Sequence, residues 1–281
     1  MAPSTAEILR SWTFEPGVLV GVAASALWYA YGVRALWQSA GRRRGVGTAQ
    51  ISAFAAGLLT LIVALVSPVD AMADTLFSAH MVEHLLLILV AAPLLVIGKP
   101  LLPMLWAVPA STRMSSARWW RRATGTRAVV SWFTSPGVAW MLHIGDLLFW
   151  HIPTTYGWTL RSDSIHALEH ASFVGTAILF WWAVLQPTGR RRLSYGMSVL
   201  YVITAGMVMS ALGAILTLAP SAWYVGYLTT TAMWNLTPLQ DQQLGGLIMW
   251  VPGSLVYLGA ACWFFVKWIG PDSESRSPHS A

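Results

Sequence analysis

Six of the chain's seven histidines lie in or beside strongly apolar stretches: His80, His84, His143, His151, His166 and His170. Four of them belong to a pattern that occurs twice. His80-Met81-Val82-Glu83-His84 and His166-Ala167-Leu168-Glu169-His170 both read H-x-x-E-H. On a helix, positions i, i+3 and i+4 share a face, so each copy presents two imidazoles and one carboxylate together. An i, i+4 histidine pair has chelate spacing, and the glutamate adds a further ligand or orients the rings. Ionisable groups in hydrocarbon are costly and mark function. Seven histidines and eleven acidic residues are too few for two such copies to arise readily by chance. The expected reading is a metal centre carried by two helices. The competing one is a polar network that glues helices through histidine hydrogen bonds.

The elements that must position these residues follow from composition. Of 281 residues, 56% are hydrophobic and 10% charged, against about 25% charged in a soluble domain. That excludes a disordered chain, a secreted disulfide scaffold and an ordinary soluble enzyme. Cys262 is the single cysteine, so no intrachain disulfide or CxxC site can form. The sequence predicts an all-α polytopic membrane protein with seven transmembrane helices, at about 17–38, 48–66, 75–97, 130–150, 164–186, 195–219 and 241–268. No cleavable signal peptide is expected at the N-terminus. Fifteen of the seventeen lysines and arginines then fall on one side, and only Arg10 and Arg161 on the other. The positive-inside rule puts the N-terminus outside and the C-terminus in the cytoplasm. The net charge of +6 is read as a topology signal, with no nucleic acid as partner. Arg113–Arg127, with Trp119 and Trp120, reads as an interfacial helix against membrane lipids. Residues 271–281 read as a disordered cytoplasmic tail.

This topology sets depth. His80, His84, His166 and His170 lie in the outer halves of spans 3 and 5. Span 4 brings His143 and Asp146 to the same outer half, close to one face, with His151 at its mouth. The expected ligands are therefore His80, Glu83, His84, His143, Asp146, His166, Glu169 and His170, with His151 and Asp241 as weaker candidates. Asp241 also suits a helix N-terminus. Met207 and Met209 point to different faces and read as packing. Met81 is rotated about 100° from its histidine neighbour, and Cys262 is far away in depth. Pro93 and Pro252 should kink spans 3 and 7. Trp158, Trp223, Tyr224, Tyr227 and Trp234 read as aromatics at headgroup depth.

Several segments together resemble the multi-span CtaG family of cytochrome c oxidase assembly factors: Ser67-Pro68-Val69-Asp70, the first H-x-x-E-H with Leu85-Leu86, Ala92-Pro93-Leu94-Leu95, His151-Ile152-Pro153 with Tyr156, the second H-x-x-E-H with Phe180-Trp181-Trp182, and Asp241-Gln242-Gln243 with Gly245-Gly246 and Trp250-Val251-Pro252. The likeness covers about residues 50–265. It implies a role in maturing a haem–copper oxidase in a bacterial cytoplasmic membrane, with an oxidase subunit as partner and copper as the ion. Glu83 departs from the glutamine expected in many relatives, which puts the metal preference of the first motif in question. Imidazole and carboxylate suit Cu(II), zinc or iron as well, one or two ions, whereas Cu(I) favours sulfur and no sulfur ligand stands out in the sequence. Two alternatives come from the same residues. An intramembrane zinc metallohydrolase would use one H-x-x-E-H helix and a distant third ligand. A haem protein would use two histidines, such as His84 and His170, as axial ligands. The expectation is a protein that is not an enzyme.

Overall fold

A computed structural model describes residues 5–185 and 193–270. All regular structure among them is helical. Arg190–Arg192 and the tail from Pro271 lie outside the described residues.

A short α1 (Thr5–Arg10) precedes α2 (Pro16–Ala40) and α3 (Thr48–Leu65). Then come α4 (Pro68–Ala73), α5 (Phe77–Leu85), a π-helical stretch (Leu86–Ala91), α6 (Ala92–Ile97) and α7 (Leu101–Trp106). The basic segment forms α8 (Ala110–Arg122), and α9 (Thr124–Phe133) follows. The next elements are α10 (Pro136–Trp150), α11 (Pro153–Thr159), α12 (Asp163–Leu185) and α13 (Tyr195–Leu218). The chain closes with α14 (Pro238–Ile248), a second π-helical stretch (Met249–Gly253) and α15 (Ser254–Ile269). Prolines open α2, α4, α10, α11 and α14, where the missing N–H has no helical partner to lose. The two interior prolines expected to kink their spans sit at the π-helical stretches. Pro93 follows the first and Pro252 lies inside the second. The wider turn accommodates the absent donor and relieves the ring's clash with the preceding carbonyl.

Among the described residues, six helices are long and apolar enough to cross a membrane: Pro16–Ala40, Thr48–Ala73, Phe77–Ile97, Asp163–Leu185, Tyr195–Leu218 and Pro238–Ile269. The region expected as a fourth span, 130–150, is not one continuous helix. α9 ends at Phe133, Ser135 is extended, and α10 restarts at Pro136, because a residue before proline is driven out of the helical region. The 15 residues of α10 are about 22 Å long.

The polarity is inside out. Leu27, Leu218 and Ile269 are more than 70% or nearly 70% exposed, whereas His80, Glu83, Glu169 and Asp241 are 0% exposed. Apolar residues outside and ionisable residues inside are what lipid demands, and the chain is a membrane protein. α13 packs against α14 and α15, α10 against α12, α5 against α14, and α2 against α7. A smaller apolar cluster joins α2 and α3, where Tyr29 and Phe54 stack with ring centroids 4.0 Å apart.

Between α13 and α14 the backbones nearly touch. A Cβ on Gly213 would lie 2.7 Å from the Gly246 carbonyl oxygen, and one on Gly246 would lie 2.7 Å from the Gly213 oxygen. Small residues permit this approach where lipid offers no hydrophobic drive. Gly213→Ala must push the helices apart, since the obstacle is backbone. We expect it to destabilise the bundle by about 1–3 kcal/mol, read as a lower unfolding midpoint in detergent. An unchanged midpoint would show that this contact does not hold α14.

Candidate metal centre

The two H-x-x-E-H motifs meet face to face. The first lies on α5 and the second on the first turns of α12. Their carboxylates cross over. Glu169 Oε2 lies 3.5 Å from His80 Nε2, Glu169 Oε1 lies 3.8 Å from His84 Nε2, and Glu83 Oε1 lies 3.5 Å from His170 Nε2. These distances exceed a hydrogen bond. Two donors held at about 2.0–2.2 Å by one tetrahedral ion are separated by about 3.3–3.6 Å.

The donor atoms form two overlapping sets. Ligand atoms of His80, His84, Glu169 and His170 lie within 4.8 Å of one another, and so do those of His80, Glu83, His166 and His170. His80 and His170 belong to both. Buried polar atoms normally have partners. Here His80 Nε2, both oxygens of Glu83 and of Glu169, both nitrogens of His84, His166 Nε2 and His170 Nε2 have no hydrogen-bond partner among the described residues. So many unpaired lone pairs converging at one place fit a cation. Six of the expected ligands are therefore brought together: His80, Glu83, His84, His166, Glu169 and His170.

The other four go elsewhere. His143 Nε2 lies 3.1 Å from the Tyr257 hydroxyl, and its ring packs on Phe180. Asp146 accepts from Trp150 Nε1 at 3.0 Å, Ser172 Oγ at 2.9 Å and Thr176 Oγ1 at 3.0 Å, so it ties α10 to α12. The two were expected on one face, but they project to different neighbours. Asp241 accepts from Phe77 N at 2.7 Å, Ser78 N at 3.1 Å and Ser78 Oγ at 2.6 Å. It caps the N-terminus of α5 from α14, rather than reaching the ligand group. His151 Nδ1 donates to the Leu147 carbonyl at 2.7 Å, and its Nε2 lies 3.4 Å from Met81 Sδ.

Sequence reasoning missed the tyrosines above the centre. Tyr224 and Tyr227, expected at headgroup depth, are 4% and 2% exposed. The loop folds inward because their hydroxyls find buried partners. Tyr227 donates to the Ala73 carbonyl at 3.0 Å and lies 2.8 Å from the Tyr156 hydroxyl. Tyr224 donates to the His151 carbonyl at 3.0 Å. Burial pushes the Tyr156 and Tyr227 hydroxyls well above the ordinary tyrosine value, so both stay protonated. His80 Nδ1 lies 3.4 Å from the Tyr227 oxygen, whose own proton is used on Ala73. That oxygen accepts from Nδ1–H, which fixes the tautomer with the Nε2 lone pair turned to Glu169.

A cavity of about 620 Å³ reaches the centre from the side, lined by Glu15, Asp70, Asp74, Asp163, His166 and His170. Its carboxylates favour a cation over an anion. Thr13 donates to Asp70, which ties the segment before α2 to the cavity wall.

Several known proteins are similar to this chain. Two uncharacterized mycobacterial proteins, from Mycobacterium bovis and Mycobacterium tuberculosis, are each 25% identical over 98% of this chain. One from Mycobacterium leprae is 24% identical over 96% of it. The alignments cover 42%, 42% and 41% of those relatives, so the chain spans less than half of their length. No solved structure matches. The model of the cytochrome c oxidase caa3 assembly factor family, Caa3_CtaG, matches residues 27–270. That match takes in both histidine motifs, the capping Asp241 and every helix from α3 to α15, and the chain belongs to this family.

Proposed function

We propose that this protein holds copper between its paired H-x-x-E-H helices and serves the maturation of a haem–copper cytochrome c oxidase. The observation that carries the reading is the set of buried, unpartnered imidazole and carboxylate atoms spaced as ligands of a shared ion. The ligands are His80, His84, His166 and His170, with Glu83 and Glu169. The overlapping donor sets suit one ion or a close pair. The bound ion is cargo for a docked oxidase subunit rather than a catalyst, and the protein is not an enzyme.

We place it in a bacterial cytoplasmic membrane with seven crossings. α10 serves as the fourth, N-terminus outside, in keeping with the distribution of arginines. The ligand ends of α5 and α12 then face outward, where extracytoplasmic copper arrives. The carboxylate-lined cavity gives it access. A hydrolase reading fits less well. There the glutamate is a base beside its own histidines, whereas Glu83 and Glu169 each lie at ligand spacing from the opposite motif's histidines. Zinc and iron suit the same donors, so the ion must be measured.

Elemental analysis of the detergent-purified protein, beside a variant with His80, His84, His166 and His170 changed to alanine, is the test. Copper at one or two equivalents, lost in the variant, is expected. Zinc in place of copper would favour the hydrolase reading. No metal in either protein after reconstitution would leave the histidines as helix glue and sink the proposal.

A further inference from the structure

Met81 leaves α5 on a different face from His80, about 100° around the helix. The fold gives that face its own partner. His151 Nδ1 lies 2.7 Å from the Leu147 carbonyl oxygen. A carbonyl only accepts, so Nδ1 carries the proton. In the neutral ring Nε2 is then a bare lone pair, and it lies 3.4 Å from Met81 Sδ. A thioether sulfur is also only an acceptor. Two acceptors therefore face each other inside the protein.

At van der Waals separation neither atom offers the other a proton, and a cation is what would bind both. A proton would leave an imidazolium in an apolar setting, against Phe173, and no ion pair involves His151 among the described residues. A soft metal ion needs neither a proton nor an anionic partner. With ligand bonds of about 2.0 Å to nitrogen and about 2.3 Å to sulfur, the two atoms would be about 3.5 Å apart, close to the 3.4 Å observed.

A third donor is at hand. His84 follows Met81 by three residues on α5 and shares its face. His84 Nδ1 is buried without a hydrogen-bond partner. The ring centroids of His84 and His151 are 6.2 Å apart; two imidazoles on one tetrahedral ion sit about 5 Å apart, so the His84 ring closes by about 1 Å to join the site. The surroundings are fixed. Met81 is 0% exposed, and a Cβ on Gly245 would press on its Cγ at 3.2 Å. Phe173 packs on His84 at 4.6 Å and closes the apolar wall.

We infer that Met81 Sδ and His151 Nε2, completed by His84 Nδ1, form a second, soft site that takes Cu(I) beside the His/Glu centre. The inference rests on the reading that this protein handles copper. It gives the cuprous ion the sulfur that the His/Glu centre lacks, while the harder centre suits divalent ions. A neutral imidazole has one lone pair, so His84 serves one site at a time. Filling one site competes with the other.

The full-length protein in detergent is loaded anaerobically with Cu(I) against a chromophoric chelator. It is then studied by X-ray absorption at the copper edge. Zn(II) stoichiometry is measured on separate samples. The wild type should show a sulfur shell at about 2.3 Å. Met81→Leu, a volume-conserving change, should lose that shell and bind Cu(I) at least tenfold more weakly, with Zn(II) stoichiometry unchanged. His151→Gln should weaken Cu(I) in the same way. A wild-type spectrum with nitrogen and oxygen scatterers only, or Cu(I) binding indifferent to Met81→Leu, overturns the soft site. Absence of Zn(II) binding with the sulfur shell intact would instead sink the His/Glu centre and leave this site standing.

Discussion

Glu169→Gln is expected to lower the protein's affinity for its ion by about two orders of magnitude or more, and oxidase maturation with it. Losing a partner that only orients a ligand already costs about 10–100-fold, and Glu169 stands closer than that. Its two oxygens lie 3.5 and 3.8 Å from Nε2 of His80 and His84. Glutamine keeps the volume and removes the charge, so packing against α5 is preserved. The amide nitrogen turns one of the two acceptors into a donor that repels a cation. Glu83→Gln should be the gentler change, because within 4.0 Å Glu83 meets one histidine of the opposite motif, His170, where Glu169 meets two. Metal titration of both variants, beside their thermal unfolding, decides the matter. If Glu169→Gln binds metal as tightly as the parent, the carboxylate is no ligand. If it unfolds instead, its role is structural.

Asp241→Ala should cost on the order of 4 kcal/mol of stability. Three donors converge on this carboxylate inside the protein, two of them the opening backbone N–H groups of α5. Each hydrogen bond to a charged group contributes about 1.5–3 kcal/mol, and a buried donor left unpaired carries its desolvation cost. The cap also sets where α5 begins, and His80 follows Phe77 by three residues. Metal affinity should therefore fall although Asp241 touches no ion. Asp241→Asn, which keeps one good acceptor, should recover part of both losses. Equal stability in all three proteins would mean that α5 is held by its packing and not by this cap.

Much of this was legible in the sequence. The helix spacing of the two motifs gave a shared face, and the arginine distribution gave a common depth. Those two expectations suffice to propose that His80, Glu83, His84, His166, Glu169 and His170 meet, and the fold brings them together. Depth does not fix azimuth, however. His143 and Asp146 were expected near that depth on α10, yet one projects to Tyr257 and the other to Ser172 and Thr176. No periodicity within a single helix reveals which neighbour it faces. Asp241 resisted reading for a related reason. A carboxylate near a helix start signals a cap for its own helix, and this one caps another 163 residues away. Tyr224 and Tyr227 misled because belt aromatics and buried hydroxyls share one residue type, and only the tertiary fold separates them. The break before Pro136 could have been read, since Ser135 precedes a proline.

The two π-helical stretches have a consequence for the helical phase of the bundle. A π turn accommodates one more residue than an α turn. Everything beyond Leu86–Ala91 is therefore out of step, by about 100°, with the motif that precedes it. The first half of that rod can aim His80, Glu83 and His84 at α12, while the second half sets its own face for packing on both α3 and α12. The rod of α14 and α15 has the same freedom at Met249–Gly253. Chemistry at one end and packing at the other are thereby uncoupled along a single helix. The ligand face can change in evolution without rotating the half that anchors it.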